Sequence, residues 1–226
     1  MRGGDERLVW IPLDRVRRPA TRSLSPGISV YGEKIVVHGG VEYRVWDPFR
    51  SKLAAALING LRNQPIAEGG RILYLGVSTG TTASHISDLI GERGILYGVE
   101  FAARVAREFI EHVAKQRSNV IPIVEDARRP ERYAHILSRV DVAYVDIAQP
   151  DQTEIAMANC RLFLIPGGDL LLVIKSPSID VTRPPREVFQ TESNKLQAEG
   201  FSILDSVNLE PFDRAHLLIH AQSPIG

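Results

Sequence analysis

From Arg71 onward, short apolar runs rich in β-branched residues alternate with segments of helical period. The extended runs are Arg71–Leu75, Ile95–Val99, Val120–Val124, Val140–Asp146 and Leu170–Lys175. Between them fall helical patterns near Thr81–Ile90, Ala103–Gln116, Glu131–Arg139 and Gln152–Leu164. Such alternation predicts a mostly parallel, doubly wound α/β sheet with helices on both faces. A further helix over Arg186–Glu199 precedes two runs, Phe201–Val207 and His216–Ala221, joined only by a loop. That pair is expected to form an antiparallel hairpin at the sheet edge.

The front of the chain reads differently. Between Gly27 and Trp46 the pattern is extended, and His38-Gly39-Gly40 separates Lys34–Val37 from Val41–Val45 as a hairpin turn would. Asp47-Pro48 then resembles a helix N-cap with proline at the first helical position, opening an apolar-periodic helix from Phe49 to about Asn63. Arg50 and Lys52 sit in its first turn, where the helix dipole disfavours cations, so another task is indicated for them. The division that follows is a small β-rich N-terminal module over residues 1–55 and an α/β domain over 56–226.

Bulk properties remove several classes. No apolar run reaches the roughly 20 residues a membrane helix needs, since Leu162–Ile174 is cut by Pro166-Gly167-Gly168-Asp169. With no signal-peptide pattern behind the N-terminal charges, the expected location is cytoplasmic. Cys160 is the only cysteine, so a disulfide within the chain is excluded and a buried core position expected. The six histidines lack the spacing of a zinc site, and no metal is expected. Net charge is zero, yet through Arg62 eleven basic residues face six acidic ones, a net +5, and the remainder carries −5. A basic front can dock phosphate or simply be a solvated surface.

Ligands in open α/β sheets bind beyond the carboxyl ends of the strands. The first such end, Gly76-Val77-Ser78-Thr79-Gly80-Thr81-Thr82, is a glycine- and hydroxyl-rich turn. It is neither G-x-G-x-x-G nor a phosphate loop, which disfavours nicotinamides and nucleoside triphosphates. The next strands end at Glu100, at Glu125-Asp126-Ala127, and at Asp146 before Ile147-Ala148-Gln149. A carboxylate about 20 residues past the glycine turn can accept hydrogen bonds from ribose hydroxyls. Three carboxylate-ended strands after a glycine turn suggest an adenosine pocket without a phosphate cradle, a description that S-adenosylmethionine satisfies.

Several longer stretches carry a more specific signal: Tyr31–Lys34, Tyr43–Leu53, Leu73–Thr82, Tyr97–Phe101, Asp146–Gln152, Lys175-Ser176 with Ser178–Thr182, and Asn208–Pro211. In these the chain resembles the fibrillarin family in its short archaeal form. The resemblance implies a class I, Rossmann-like methyltransferase using S-adenosylmethionine on ribose 2′-hydroxyls of rRNA and tRNA. It implies that Gly76, Ser78, Thr79, Gly80, Thr81, Thr82, Glu100, Phe101, Asp126, Ala127, Asp146, Ile147, Ala148 and Gln149 line the cofactor site. It further implies that Lys52, Asp146, Lys175 and His216 form the catalytic group. Tyr74 stands where many class I methyltransferases carry an acid, a difference fibrillarins share.

Lys175 ends an apolar strand, at a position facing the ligand crevice. It can serve either as a general base or as an electrostatic stabiliser of a developing oxyanion, and sequence leaves both open. Neither an RRM signature nor a KH loop is apparent, so target choice is expected to come from partners. The resemblance implies a Nop-family scaffold, a box C/D guide RNA, a kink-turn-binding ribosomal-type protein and a target RNA. Arg15, Arg17, Arg18, Arg22, Arg128, Arg129 and Arg132 are candidates for contacts with RNA or with a partner. Two other readings are a class I methyltransferase for protein glutamine or a small molecule, and a mainly structural ribonucleoprotein subunit.

Overall fold

The computed structural model describes residues 7–13 and 16–225. Two sheets make up the scaffold. The smaller is antiparallel, with strands β1 (Leu8–Leu13), β2 (Val16–Arg22), β3 (Ile35–His38) and β4 (Val41–Val45) in the order β1-β2-β4-β3. The β3–β4 hairpin closes through His38 and Val41, as the glycine pair between them predicts. The preceding hairpin does not follow from the sequence pattern, which begins its extended region only at Gly27. β2 carries Arg17, Arg18 and Pro19, residues that mask a strand, and it buries only its far end, Pro19 to Thr21.

The larger sheet has seven strands in the order β10-β11-β9-β8-β5-β6-β7. β5 (Arg71–Leu75), β6 (Ile95–Val99), β7 (Val120–Ile123), β8 (Val140–Val145) and β9 (Leu164–Lys175) run parallel. β11 (His216–Gln222) pairs antiparallel with β9, and β10 (Ser202–Asn208) antiparallel with β11. Side chains alternate across the pleat and so divide the core. Ile72 and Tyr74 of β5 face one cluster with α1 (Lys52–Ile58), α2 (Thr81–Ile90) and Phe109 of α3 (Ala103–His112). Leu73 and Leu75 face the other, with α4 (Gln152–Phe163) and α5 (Pro185–Ala198). Cys160 lies in this second cluster, where burial pushes its thiol up to about 12.

Three predicted helices come out differently. The expected Phe49 start is replaced by a turn in which the Asp47 carboxylate accepts the Phe49 N–H, and Ser51 caps α1 by accepting from Ala54 N–H. The same helix stops at Ile58 rather than near Asn63, because Gly60, at φ +99°, lets Leu61 N–H return to Ala56 O and Gly60 N–H to Leu57 O. The helix expected over Glu131–Arg139 is absent: only Pro130–Arg132 forms a single 3₁₀ turn, and Tyr133 anchors the segment by stacking on Phe163 of α4. The segment from Ala103 to Gln116 divides into α3 and a 3₁₀ turn at Ala114–Gln116.

The small sheet is tied to the large one by buried charge as well as by apolar packing. Arg44 of β4, fully buried, donates to Glu33 (2.6 Å), to Asp88 of α2 (2.7 Å) and to Ser84 (2.8 Å). Arg117 completes the group by donating to the other oxygen of Asp88 at 2.6 Å. Trp46 and Leu53–Leu57 belong to the same apolar cluster as Ile86 and Tyr74, so one core spans both sheets.

Candidate active site

The strand order reverses direction at β5, which has β8 on one side and β6 on the other. Ligand crevices form at such a reversal, past the carboxyl ends of the strands. Here the crevice is lined by Gly76 after β5, Glu100 and Phe101 after β6, Asp126 after β7, Asp146 after β8 and Lys175 at the end of β9. Gly76 sits at φ +77°, and a Cβ there would lie 2.7 Å from Asp146 O and 2.9 Å from Ile147 Cγ2. Only glycine lets the two strand ends approach this closely.

The carboxylate of Glu100 is fixed by accepting backbone N–H groups of Ser78 and Ala102, each at 3.0 Å. Phe101 is 67% exposed beside it, an aromatic face turned outward at the crevice. Arg128 straps the rim, pairing with Asp151 at 3.3 Å and donating to Gln149. Arg132 pairs with Glu125 at 3.7 Å, so of the three candidate arginines that follow β7, Arg128 and Arg132 are engaged locally. Arg15 lies outside the described residues.

Ser78, Ala127, Ile147, Ala148 and Gln149 also line the crevice. Four residues of the glycine turn that the sequence assigns to the site, Thr79, Gly80, Thr81 and Thr82, are not among its walls. Gly80 backs onto α3 instead, where a Cβ would meet Val113 and Phe109 at 2.6 and 2.7 Å. Thr81 opens α2, Thr79 is half-buried, and Thr82 is buried, donating to Ser51 Oγ at 3.0 Å. Beneath the crevice, the Tyr74 phenol is held well above its ordinary pKa by burial and by nearby Asp146.

Beside the crevice the structure gathers a charged cluster. Lys175 Nζ lies 2.7 Å from Asp146 Oδ1 and donates to Asp146 O at 3.1 Å, while Lys52 Nζ donates to Asp146 Oδ2 at 3.4 Å. Lys175 is further fixed through its main chain, whose N–H donates at 3.0 Å to the fully buried Gln152. His216 faces Lys175 directly across the β9–β11 ladder. Sequence reasoning missed Asp213, which joins the two ends of the group: one oxygen is 3.6 Å from Lys52 Nζ, the other 3.0 Å from His216 Nδ1. Its only sequence signal is its place three residues before His216 in the loop between the last two strands.

Comparison with known proteins agrees with this geometry. The fibrillarin family model matches residues 8–224. A fibrillarin-like rRNA/tRNA 2′-O-methyltransferase of Pyrobaculum neutrophilum is 55% identical over 210 residues, covering 92% of this chain and 89% of the relative. Aeropyrum pernix fibrillarin, solved in complex with natively bound S-adenosyl-L-methionine, superposes with a TM-score of 0.88 at 50% identity, covering 96% of each chain. A chain of a fibrillarin/Nop5p complex gives a TM-score of 0.85 at 38% identity, covering 96% of this chain and 97% of that one. Near-complete coverage in both directions, over both sheets and the charged cluster, places the chain in the fibrillarin family.

Proposed function

We propose that this protein transfers a methyl group from S-adenosylmethionine to ribose 2′-hydroxyls of rRNA and tRNA, at sites chosen by a box C/D guide RNA. The observation that carries this reading is the Lys175–Asp146–Lys52 cluster at the crevice wall. The crevice suits the cofactor. Its floor is bare at Gly76, its carboxylates at Glu100 and Asp126 can accept from ribose hydroxyls and an adenine amino group, and its two cations, Arg128 and Lys175, are paired with carboxylates rather than free for phosphate. When bound, S-adenosylmethionine supplies an electrophilic methyl group on a positively charged sulfur.

The chain's own residues do the rest. Asp146, held from both sides by lysines, is assigned to accept a hydrogen bond from the 2′-hydroxyl, fixing its line of attack, and to take the hydroxyl proton and pass it to solvent as the oxygen–methyl bond forms and the sulfur–methyl bond breaks. Positioning of this kind is worth several kcal/mol in a transfer between two bound groups, up to about 7–11. Lys175, with one donor on Asp146 O and its nitrogen against the carboxylate, serves as a fixed positive charge where oxyanion character develops. Asp213 keeps Lys52 and His216 in register with that centre.

A Nop-family scaffold, a kink-turn-binding protein and the guide RNA supply target choice in this reading. Support comes from the relative solved with Nop5p and from the balance of 27 basic and 27 acidic residues, which gives little general attraction for RNA. The test is methylation of a matched RNA, located by mass spectrometry, with and without scaffold and guide. Site-specific transfer only in the assembled particle, abolished by Asp146→Ala and Lys175→Ala, is the expected result. Full activity of Lys175→Ala, or efficient site-specific transfer by the isolated chain, would sink it.

A further inference from the structure

About half of the basic side chains among the described residues are paired: Arg7, Arg44, Arg62, Arg117, Arg128 and Lys195, for example, each meet a carboxylate. Three that make no ion pair among the described residues converge on one surface groove. Arg18 of β2, Lys34 and Arg50 line it, together with Tyr31, Trp46 and Asp47. The Arg50 guanidinium lies over the Tyr31 ring, 5.5 Å from its centroid, which holds it in place without neutralising it. Of the two acids in the groove wall, Glu33 is buried and committed to Arg44, and Asp47 accepts the Phe49 N–H. The groove is therefore electropositive on a protein with no net charge.

Its position matters as much as its sign. Arg50 stands two residues before Lys52 on the turn that leads into α1. Next to Arg50 in the chain, the 68% exposed Phe49 packs edge-on against Phe212 at 5.3 Å, and Phe212 directly precedes Asp213 of the cluster. A strip of cations and exposed aromatic carbon thus runs from Arg18 to the residues that hold the reactive centre.

We propose that this groove binds the ribose–phosphate backbone of the RNA strand flanking the methylated nucleotide, with Arg18, Lys34 and Arg50 each meeting a phosphate. The proposal rests on the RNA methyltransferase reading and adds a docking surface to it. Phosphate contacts fix register without reading sequence, which is the task left to this subunit when base pairing selects the site. Arg50 and Phe49 then set how far the bound strand stands from Asp146.

The test uses the assembled particle carrying Arg18→Gln, Lys34→Gln and Arg50→Gln together, with the exposed Lys34→Gln alone as a milder variant. Each lost phosphate contact should flatten the log–log salt dependence of KM for target RNA by about 0.7–0.9, so the triple variant should lose about 2–3 in slope. KM should rise at least about tenfold at moderate salt, kcat at saturating RNA should change little, and S-adenosylmethionine affinity measured by calorimetry should stay the same. Arg18→Lys and Arg50→Lys together, with Lys34 kept, should retain the slope. An unchanged slope overturns the proposal. So does a variant whose only defect is weaker binding to the scaffold protein, since the groove would then belong to a protein contact. A wild-type particle that methylates no RNA would sink the functional reading instead, and the same salt series read by RNA binding still decides the groove.

Discussion

Replacing Arg44 with methionine removes the charge that joins the two sheets and leaves the apolar stem largely in place. In the wild type the guanidinium is fully buried and serves two carboxylates and a hydroxyl at 2.6–2.8 Å. Asp88 keeps Arg117 at 2.6 Å after the change, but Glu33 keeps only Ser29 and backbone N–H donors. Breaking a buried pair from one side costs about 3–5 kcal/mol, because the stranded charge has no water to return to. For a chain of this size each kcal/mol shifts Tm by about 2–4 °C, so a fall of about 6–20 °C is expected in calorimetry. The loss should depend on pH. Burial pushes the Glu33 carboxyl up, yet Arg44 and the backbone N–H groups outweigh it and hold the pKa below its ordinary value. In the variant only burial and the backbone remain, so Glu33 is charged at a cost at high pH and neutralised as pH falls. The gap between wild type and variant should therefore be wider at pH 8 than at pH 5. Adding Glu33→Gln to Arg44→Met should recover part of the loss. A single-variant cost under about 1 kcal/mol, or a gap that does not vary with pH, would refute the idea that this pair couples the sheets.

Gly76→Ala should lower both Tm and S-adenosylmethionine affinity, since the left-handed backbone alone costs about 1–2 kcal/mol and the new Cβ must displace Asp146 O from 2.7 Å; unaltered calorimetric binding would count against the assigned crevice. Asp213→Asn should reduce kcat for methyl transfer while leaving cofactor affinity intact, and Asp213→Glu should restore part of it; equal loss in both variants would point to a folding defect rather than to alignment of Lys52 and His216. His85, fully buried against Thr21, Tyr31 and Trp46, has its pKa pushed well down by burial and then by Arg44 and Arg117. The unfolded chain binds its proton near pH 6.5 and the folded one does not, so stability should fall below that pH by up to about 1.4 kcal/mol per unit, a slope that His85→Gln should reduce in a Tm series from pH 5 to 7.

The parallel sheet was legible because its strands are buried on both faces and read as unbroken apolar runs ending in a glycine or a carboxylate, as at Leu75-Gly76 and Val145-Asp146. Strand ends also made Glu100, Asp126 and Lys175 visible, since their positions follow from topology alone. What stayed hidden depends on partners remote in the chain. β2 is held by its ladder to β1 and by Trp46 N–H donating to Pro19 O, neither of which leaves a periodic trace around Arg17-Arg18-Pro19. The turn at Glu131–Arg139 has helical spacing, yet only Tyr133 among 131–139 is fully buried, and a single anchor does not require a helix. Gly80 looked like a ligand-facing glycine, but its missing Cβ makes room for Phe109. Asp213 acquires its role only when the β10–β11 loop folds back over Lys52, a distance of more than 150 residues along the chain.

The pairing of His216 with Lys175 sets different rules for length changes on either side of it. The two residues are direct partners in an antiparallel ladder that continues through Gln222 and Asp169, so both side chains emerge on one face by the parity of the strands. An inserted residue inside β11 reverses that parity and sends His216 to the opposite face, whatever happens to the loop. An insertion between Asn208 and Asp213 leaves the parity intact, so the loop can vary in length while the ladder keeps the imidazole where it is. Homologues and engineered chains should accordingly tolerate insertions in the loop and reject them a few residues later.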